Sequence, residues 1–269
     1  MKIKAAAIQF DILPARPEHN LARAEELLRQ AIDQGAELLL LPELWNTGYA
    51  LESIAELAGP WQTRSLELLR SLAAAAGVTI VGGSIPEDRH GSIYNTCFVI
   101  GAKGQIITKY RKAHLFPHYM QEHLYFTAGD ELASFEYEKG GERITAGLCI
   151  CYDLRFPEMC RNLVLRGARL LCLPASWPRA RIREYELLCR ARASENRAFV
   201  LAANYTDTVD DTYCGGALIA APDGELLVKG ENYEGVYLAE MDFAKYRDCT
   251  FESLADRRPF LDEIDNNLL

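Results

Sequence analysis

The feature that most narrows the fold is periodicity. From residue 3 to residue 241 the chain alternates between short apolar runs that suit strands and segments with an apolar repeat near 3.6. Residues 3–10 read as a core strand. Residues 18–34 put Leu21, Ala24, Leu28, Ala31 and Ile32 on one helical face, with Gly35 placed to cap the end. Residues 38–41 are continuously apolar, as in a strand buried on both faces, and run straight into Pro42 and Glu43. Glu43 should therefore emerge where that strand ends. A helix is expected over 62–76, strands at 78–82 and 93–100, and a hairpin through 102–104 to 105–109. Residues 110–130 hold Pro117, three histidines and no sustained period, and read as a long functional loop. Beyond it come a strand at 143–150, a sharp turn at Cys151, a helix at 157–166, a strand at 170–173, a helix at 181–196 and strands at 199–203, 215–220, 225–228 and 234–241.

No repeat, low-complexity tract or linker interrupts this pattern, so residues 1–241 are expected to form one α/β domain. Its sheets should be mixed, because helical crossovers and hairpins both occur. Residues 242–269 are polar with scattered aromatics and read as a C-terminal tail, for which a dimer interface is one location. A chain of 269 residues, 49% of them hydrophobic, can bury a core that needs no disulfide or metal staple. A formal charge of −9 argues against a nucleic-acid partner, although a few arginines in one cleft can reverse the local field. The first ten residues lack the layout of a signal peptide, and no apolar run reaches the length of a membrane span. Eight irregularly spaced cysteines, several within hydrophobic segments, point to reduced thiols and a cytoplasmic location.

Three residues stand out for chemistry. Cys151 follows an apolar strand at a tight turn before a helix, where backbone N–H groups favour a thiolate; a cysteine can equally be core. Glu43, after Pro42, becomes a general base if apolar neighbours such as Trp45 raise its pKa; otherwise it is an exposed loop carboxylate. Lys112 lies in the basic triplet Tyr110-Arg111-Lys112, which by itself is an ordinary solvated face.

Taken together, these positions carry a resemblance. Leu40-Leu41-Pro42-Glu43-Leu44, then Tyr110-Arg111-Lys112-Ala113-His114-Leu115-Phe116, then Cys149-Ile150-Cys151-Tyr152-Asp153-Leu154-Arg155-Phe156-Pro157-Glu158 resemble, in order, the motifs of the nitrilase or carbon–nitrogen hydrolase superfamily. Residues 190–196 resemble the family's helix behind the site. The resemblance implies a four-layer α-β-β-α sandwich, a homodimer, and a site at strand ends between the sheets. It implies an amidase with Glu43 as base, Cys151 as nucleophile forming a thioester, and an oxyanion held by Lys112 and the Tyr152 backbone N–H. Glu122 matches a second family glutamate that orients Lys112 or the substrate amide; its alternative is a surface loop residue. No metal or organic cofactor is implied.

The substrate is read from the same likeness. The 110–130 loop and Ala175-Ser176-Trp177-Pro178 look most like the omega-amidase branch, which removes ammonia from the terminal amide of 2-oxo acids such as 2-oxoglutaramate. Arg155 would grip the substrate carboxylate, as in relatives that cleave N-carbamoyl amino acids, or would form an ion pair with Asp153 or Glu158. Arg179, Arg181 and Arg183 are further candidates, and Trp177 and Tyr49 are candidate pocket walls or core. N-carbamoyl amino acids and deaminated glutathione are alternative substrates, and a nitrile fits the cysteine motif least. Pro117 stands where many amidases carry aspartate, so the loop over the pocket should differ. Zinc at His114, His118, His123 and Glu122 is disfavoured because Pro117 interrupts the helix that would align them. Cys149 and Cys151 have the wrong spacing for a redox pair. A catalytically inactive binding or scaffold protein on this fold is the reading from another class, and the presence of Glu43, Lys112 and Cys151 argues for the enzyme.

Overall fold

The computed structural model describes residues 1–207 and 212–246, with Leu254, Asp256 and Arg258. In chain order the elements are β1 (Lys2–Asp11), α1 (Pro17–Asp33), β2 (Leu38–Leu40), α2 (Ile54–Ala76), β3 (Thr79–Val81), β4 (Ile85–Arg89), β5 (Ser92–Ile100), β6 (Ile106–Arg111), β7 (Ser134–Lys139) and β8 (Glu142–Leu148). They continue with α3 (Pro157–Leu165), β9 (Ala168–Pro174), α4 (Ile182–Asn196), β10 (Phe199–Ala203), β11 (Tyr205–Thr206), β12 (Leu218–Ala220), β13 (Leu226–Lys229) and β14 (Gly235–Asp242). One sheet runs β11-β1-β2-β3-β5-β4, with β14 also on β1 and β6 also on β5; the other runs β13-β12-β10-β9-β8-β7. Both are mixed: β1, β2 and β3 are parallel, as are β8, β9 and β10, and hairpin partners run antiparallel.

Alternation along β1 accounts for the layering. Ile3, Ala5 and Ala7 join the core that continues into the second sheet, whereas Ala6, Ile8 and Phe10 join the core beneath α1 and α2. Successive strand side chains leave on opposite faces, so one apolar strand serves two cores. Leu163 of α3 and Cys189 and Ala193 of α4 cover the far face of the second sheet. The order is helices, sheet, sheet, helices, as the four-layer expectation requires.

The differences from expectation have local causes. Helix α2 begins at Ile54, eight residues before the expected start, and carries Pro60 inside it. Gly59-Pro60 reads as a breaker in sequence, but Ile54 and Ala58 pack with Leu44, Leu51, Ile93 and Phe126, and that burial holds the early turns. Strands β4 and β7 lie at the ends of their sheets, where one contains Pro86 and the other offers only Phe135 and Tyr137 inward. Edge strands tolerate such sequences, so their periodicity is weak. Tyr110 and Arg111 close β6 and are not part of the following loop. Of the expected tail, the residues beyond Tyr246, apart from the three isolated positions, lie outside the described residues. Among the described residues no helix is long and apolar enough to cross a membrane.

Candidate active site

Three strand ends deliver the candidate residues to one place. Strand β2 leads to Glu43, β6 to Lys112 and β8 to Cys151. Alternation also sets the direction at β6: Tyr110 is in the core between the sheets, and Lys112, two residues on, takes the same side.

Glu43 is fixed by its backbone before its side chain acts. Its N–H donates to Ala175 O at 3.3 Å, and Tyr205 Oη donates to its carbonyl at 2.6 Å. Gly83, at φ +60°, passes directly behind: a Cβ there would come within 2.1 Å of Pro42 O, so only glycine fits. Trp45 packs into the core below the helices and donates from Nε1 to Gly82 O at 2.7 Å.

The carboxylate is fully buried and shares one cation with a second carboxylate. Lys112 Nζ donates to Glu43 Oε1 at 2.8 Å and to both oxygens of Glu122 at 2.9 and 2.8 Å. Glu122 is not a surface residue: it too is fully buried, and it accepts from Tyr49 Oη at 2.8 Å and from the Phe116 N–H at 2.9 Å. Asn95 Nδ2 donates to Glu43 Oε1 at 2.9 Å. Among the described residues Glu43 Oε2 accepts no hydrogen bond of good geometry, while the Cys151 thiol interacts with the same carboxylate. Burial raises the Glu43 pKa, Lys112 opposes it, and the negative Glu122 adds to the rise. Burial disfavours the Lys112 ammonium, but Glu122 and Glu43 outweigh it and raise its pKa.

Cys151 occupies the expected elbow. Its φ of 44° lies in the left-handed region that non-glycine residues avoid, and a short 3-10 turn, Cys151–Arg155, precedes α3. The expectation that this position favours a thiolate is reversed in the resting site. Burial first, then the Glu43 charge, push the thiol pKa well up, against the pull of Lys112 and the Ser176 backbone. The thiol therefore keeps its proton until a base takes it.

Asp153 braces the elbow. Its Oδ2 accepts from the Ile150 N–H at 2.8 Å and from Tyr110 Oη at 2.7 Å, and its Oδ1 accepts from the His114 N–H at 3.1 Å and lies 2.7 Å from His114 Nδ1. Asp153 thus ties the segment bearing Lys112 to the segment bearing Cys151. It is not the partner of Arg155, and neither is Glu158: Arg155 Nη2 donates to Glu184 Oε2 at 2.7 Å. His114 stacks on Phe156 at 3.7 Å, and among the described residues no group of three His, Cys, Asp or Glu side chains could hold a metal ion.

A narrow cleft opens over Cys151 and Lys112, walled by Tyr49, Tyr152, Arg155 and Trp177. All four candidate substrate contacts of the sequence reading are thus brought together. Trp177 is almost fully buried; its N–H donates to Asn204 Oδ1 at 2.6 Å and its Nε1 to Arg181 O at 3.0 Å. Sequence reasoning missed Asn95, Asn204, Tyr205 and the bracing role of Asp153. Asn95 left a signal, an amide within the apolar run of β5 on the face of Cys97 and Val99. Asn204 and Tyr205 left none, because they act where the chain crosses from β10 in one sheet to β11 in the other.

A buried carboxylate, ammonium and thiol beside an open cleft can exchange a proton, expose a sulfur nucleophile and stabilise an oxyanion. Comparison with known proteins agrees. The carbon-nitrogen hydrolase family profile matches residues 4–251. The chain is 39% identical to the 2-oxoglutaramate amidase of Bacillus subtilis (strain 168) over 100% of both chains. It is 34% identical to the omega-amidase NIT2-A of Xenopus laevis over 90% of this chain and 89% of that one. The amidase of Nesterenkonia sp. AN1, solved as a double mutant with acrylamide, superposes with a TM-score of 0.85 at 27% identity, covering 99% of this chain and 97% of that one. The chain belongs to the carbon–nitrogen hydrolase family, whose enzymes break carbon–nitrogen bonds by hydrolysis.

Proposed function

We propose that the protein is an omega-amidase that releases ammonia from the terminal amide of a small 2-oxo acid, with 2-oxoglutaramate as the substrate. The observation that carries this reading is the buried Glu43–Lys112–Glu122 chain against Cys151 at the floor of a cleft. Glu43 takes the Cys151 proton on its vacant Oε2 as the thiolate attacks the amide carbonyl carbon. The carbonyl oxygen becomes an oxyanion, held by the Lys112 ammonium and the Tyr152 backbone N–H. Glu43 returns the proton to the leaving nitrogen, and the carbon–nitrogen bond breaks to give ammonia and a thioester on Cys151. Glu43 then takes a proton from water, whose oxygen attacks the thioester; Glu43 returns that proton to the departing thiolate, and the carboxylic acid product loses its remaining proton to solvent. Removing one oxyanion donor raises the barrier by roughly 3 kcal/mol in comparable sites. Glu122 orients Lys112, and Tyr49 holds Glu122. The 39% identity to an enzyme called 2-oxoglutaramate amidase supports this substrate over N-carbamoyl amino acids, deaminated glutathione or a non-catalytic role.

The same reading places residues 1–241 in one catalytic domain and the enzyme in the cytoplasm as a homodimer. Leu165 on α3 and Leu187 on α4 stand exposed on the outer helical layer and support pairing there. Ammonia release from 2-oxoglutaramate by the purified protein, beside Cys151→Ala, tests the substrate. Release by the parent alone is expected. Silence from both proteins would overturn the assignment and move the search to carbamoyl compounds.

A further inference from the structure

Three cations line the cleft, and their surroundings differ in kind. The Lys112 ammonium is taken by Glu43 and Glu122. Arg155 is salt-bridged to Glu184 and lies 4.8 Å over the Trp177 ring, so its charge is matched and its plane occupied. Arg181 lines the same cleft with an exposed side chain; among the described residues it makes no salt bridge, and the Glu184 carboxylate acts on it only at longer range. Its backbone is nonetheless held at the rim of the cleft. The Arg179–Arg181 turn leads directly into α4, and the Arg181 carbonyl is held by Trp177 Nε1 at 3.0 Å.

We propose that Arg181 is the specificity-determining residue that receives the carboxylate of the substrate, a role the family resemblance would give to Arg155. This rests on the reading of the substrate as a carboxylate-bearing amide. A guanidinium already paired with a carboxylate offers little net field to a second anion, whereas an unpaired one presents a fork of donors that matches a carboxylate's two oxygens. The Arg155–Glu184 pair, stacked on Trp177, acts instead as a near-neutral side wall. Tyr119, at the same cleft, feels the charge of both arginines, which places the two guanidiniums around one region of the mouth. Arg181 then selects omega-amides that end in a carboxylate, and it acts on binding more than on the chemical step because the reacting carbon lies at Cys151.

The test is the ratio of kcat/KM for 2-oxoglutaramate to that for butyramide, an uncharged amide, in the parent and in Arg181→Ala, Arg181→Lys and Arg155→Ala. The expected result is a parent preference for 2-oxoglutaramate that Arg181→Ala cuts 10- to 100-fold, mostly through KM. Arg181→Lys should recover part of the loss, and Arg155→Ala should cut the ratio less than Arg181→Ala. A ratio within twofold of the parent in Arg181→Ala, or a larger fall in Arg155→Ala, would overturn the assignment of Arg181. A parent enzyme that turns over butyramide with no preference for 2-oxoglutaramate would instead overturn the substrate reading, before any variant is measured.

Discussion

Strand β6 sends cations to both of its faces, and the two sites it builds behave in opposite ways. On one face Lys109 and Arg111 converge on Glu87 of β4: Arg111 donates from Nε at 2.8 Å and from Nη2 at 3.1 Å, Lys109 is salt-bridged to it, and Thr96 Oγ1 adds a bond at 2.9 Å. Next in sequence, Lys112 turns inward and meets Glu43 and Glu122. The outer site has two cations for one carboxylate, and although burial works against the charge, Arg111 and Lys109 bring the Glu87 pKa down to about 2. The inner site has one cation for two carboxylates, and the Glu43 pKa is raised. Both carboxylates are out of solvent contact, at 4% and 0% exposure, but Glu43 lies deeper, and desolvation is the largest influence raising its pKa. The balance of charge acts in the same direction: a carboxylate held by a surplus of cations is inert structure, and a deeper one left short of them can accept a proton.

The largest expected change is at the inner site. Glu122→Gln removes the anion that helps raise Glu43 and Lys112, and kcat for amide hydrolysis should fall about 100-fold as Lys112 loses its fixed position. The pH profile gives the sign. Protonated Glu43 cannot accept the thiol proton, so activity falls as pH drops through its raised pKa. With Glu122 neutral that limb of kcat/KM should move to lower pH, and an acid limb that stays in place or rises would break the charge-balance comparison.

A smaller effect is expected at the outer site. Glu87→Gln should cost about 1.5–3 kcal/mol of stability at neutral pH, the usual range for hydrogen bonds to a charged group, with turnover retained. Because the folded pKa of Glu87 is depressed, its stabilisation is complete above the ordinary carboxylate value near 4.5 and is lost as pH falls toward 2. Urea denaturation across that window should show a steep loss in the parent and a shallower one in the variant. Equal slopes would mean that Glu87 is not the inert, cation-rich partner of the comparison.

The contrast also explains what was legible in the sequence. Glu43 and Cys151 each follow a strand whose apolar pattern is plain, so their placement at strand ends could be read directly; Lys112 follows the largely exposed β6, and only the order of the family motifs marked it. Glu122 was legible only through the resemblance, because its loop has no period and nothing local announces that it turns inward to Lys112. The outer site was not legible: Glu87 lies on an edge strand, in a stretch the sequence pattern leaves unassigned, and the pairing of β5 with both β4 and β6 is a tertiary fact. Arg155 shows the same limit. Its place in the motif left a carboxylate grip and an ion pair with Asp153 or Glu158 both open, and the partner it takes is Glu184 on α4, 29 residues away. The Asn204–Tyr205 crossover between sheets likewise depends on how two sheets stack, which single-strand patterns do not encode.

The central claim is that Cys151, unmasked by Glu43, carries the acyl group of the substrate. The most direct measurement is acid quenching of the enzyme during turnover of 2-oxoglutaramate, followed by mass spectrometry of the intact protein and of the peptide bearing Cys151. The account predicts an added acyl mass on Cys151 in the parent, absent in Cys151→Ala, which releases no ammonia. Sustained ammonia release by Cys151→Ala, or an acyl mass on a different residue, would contradict it.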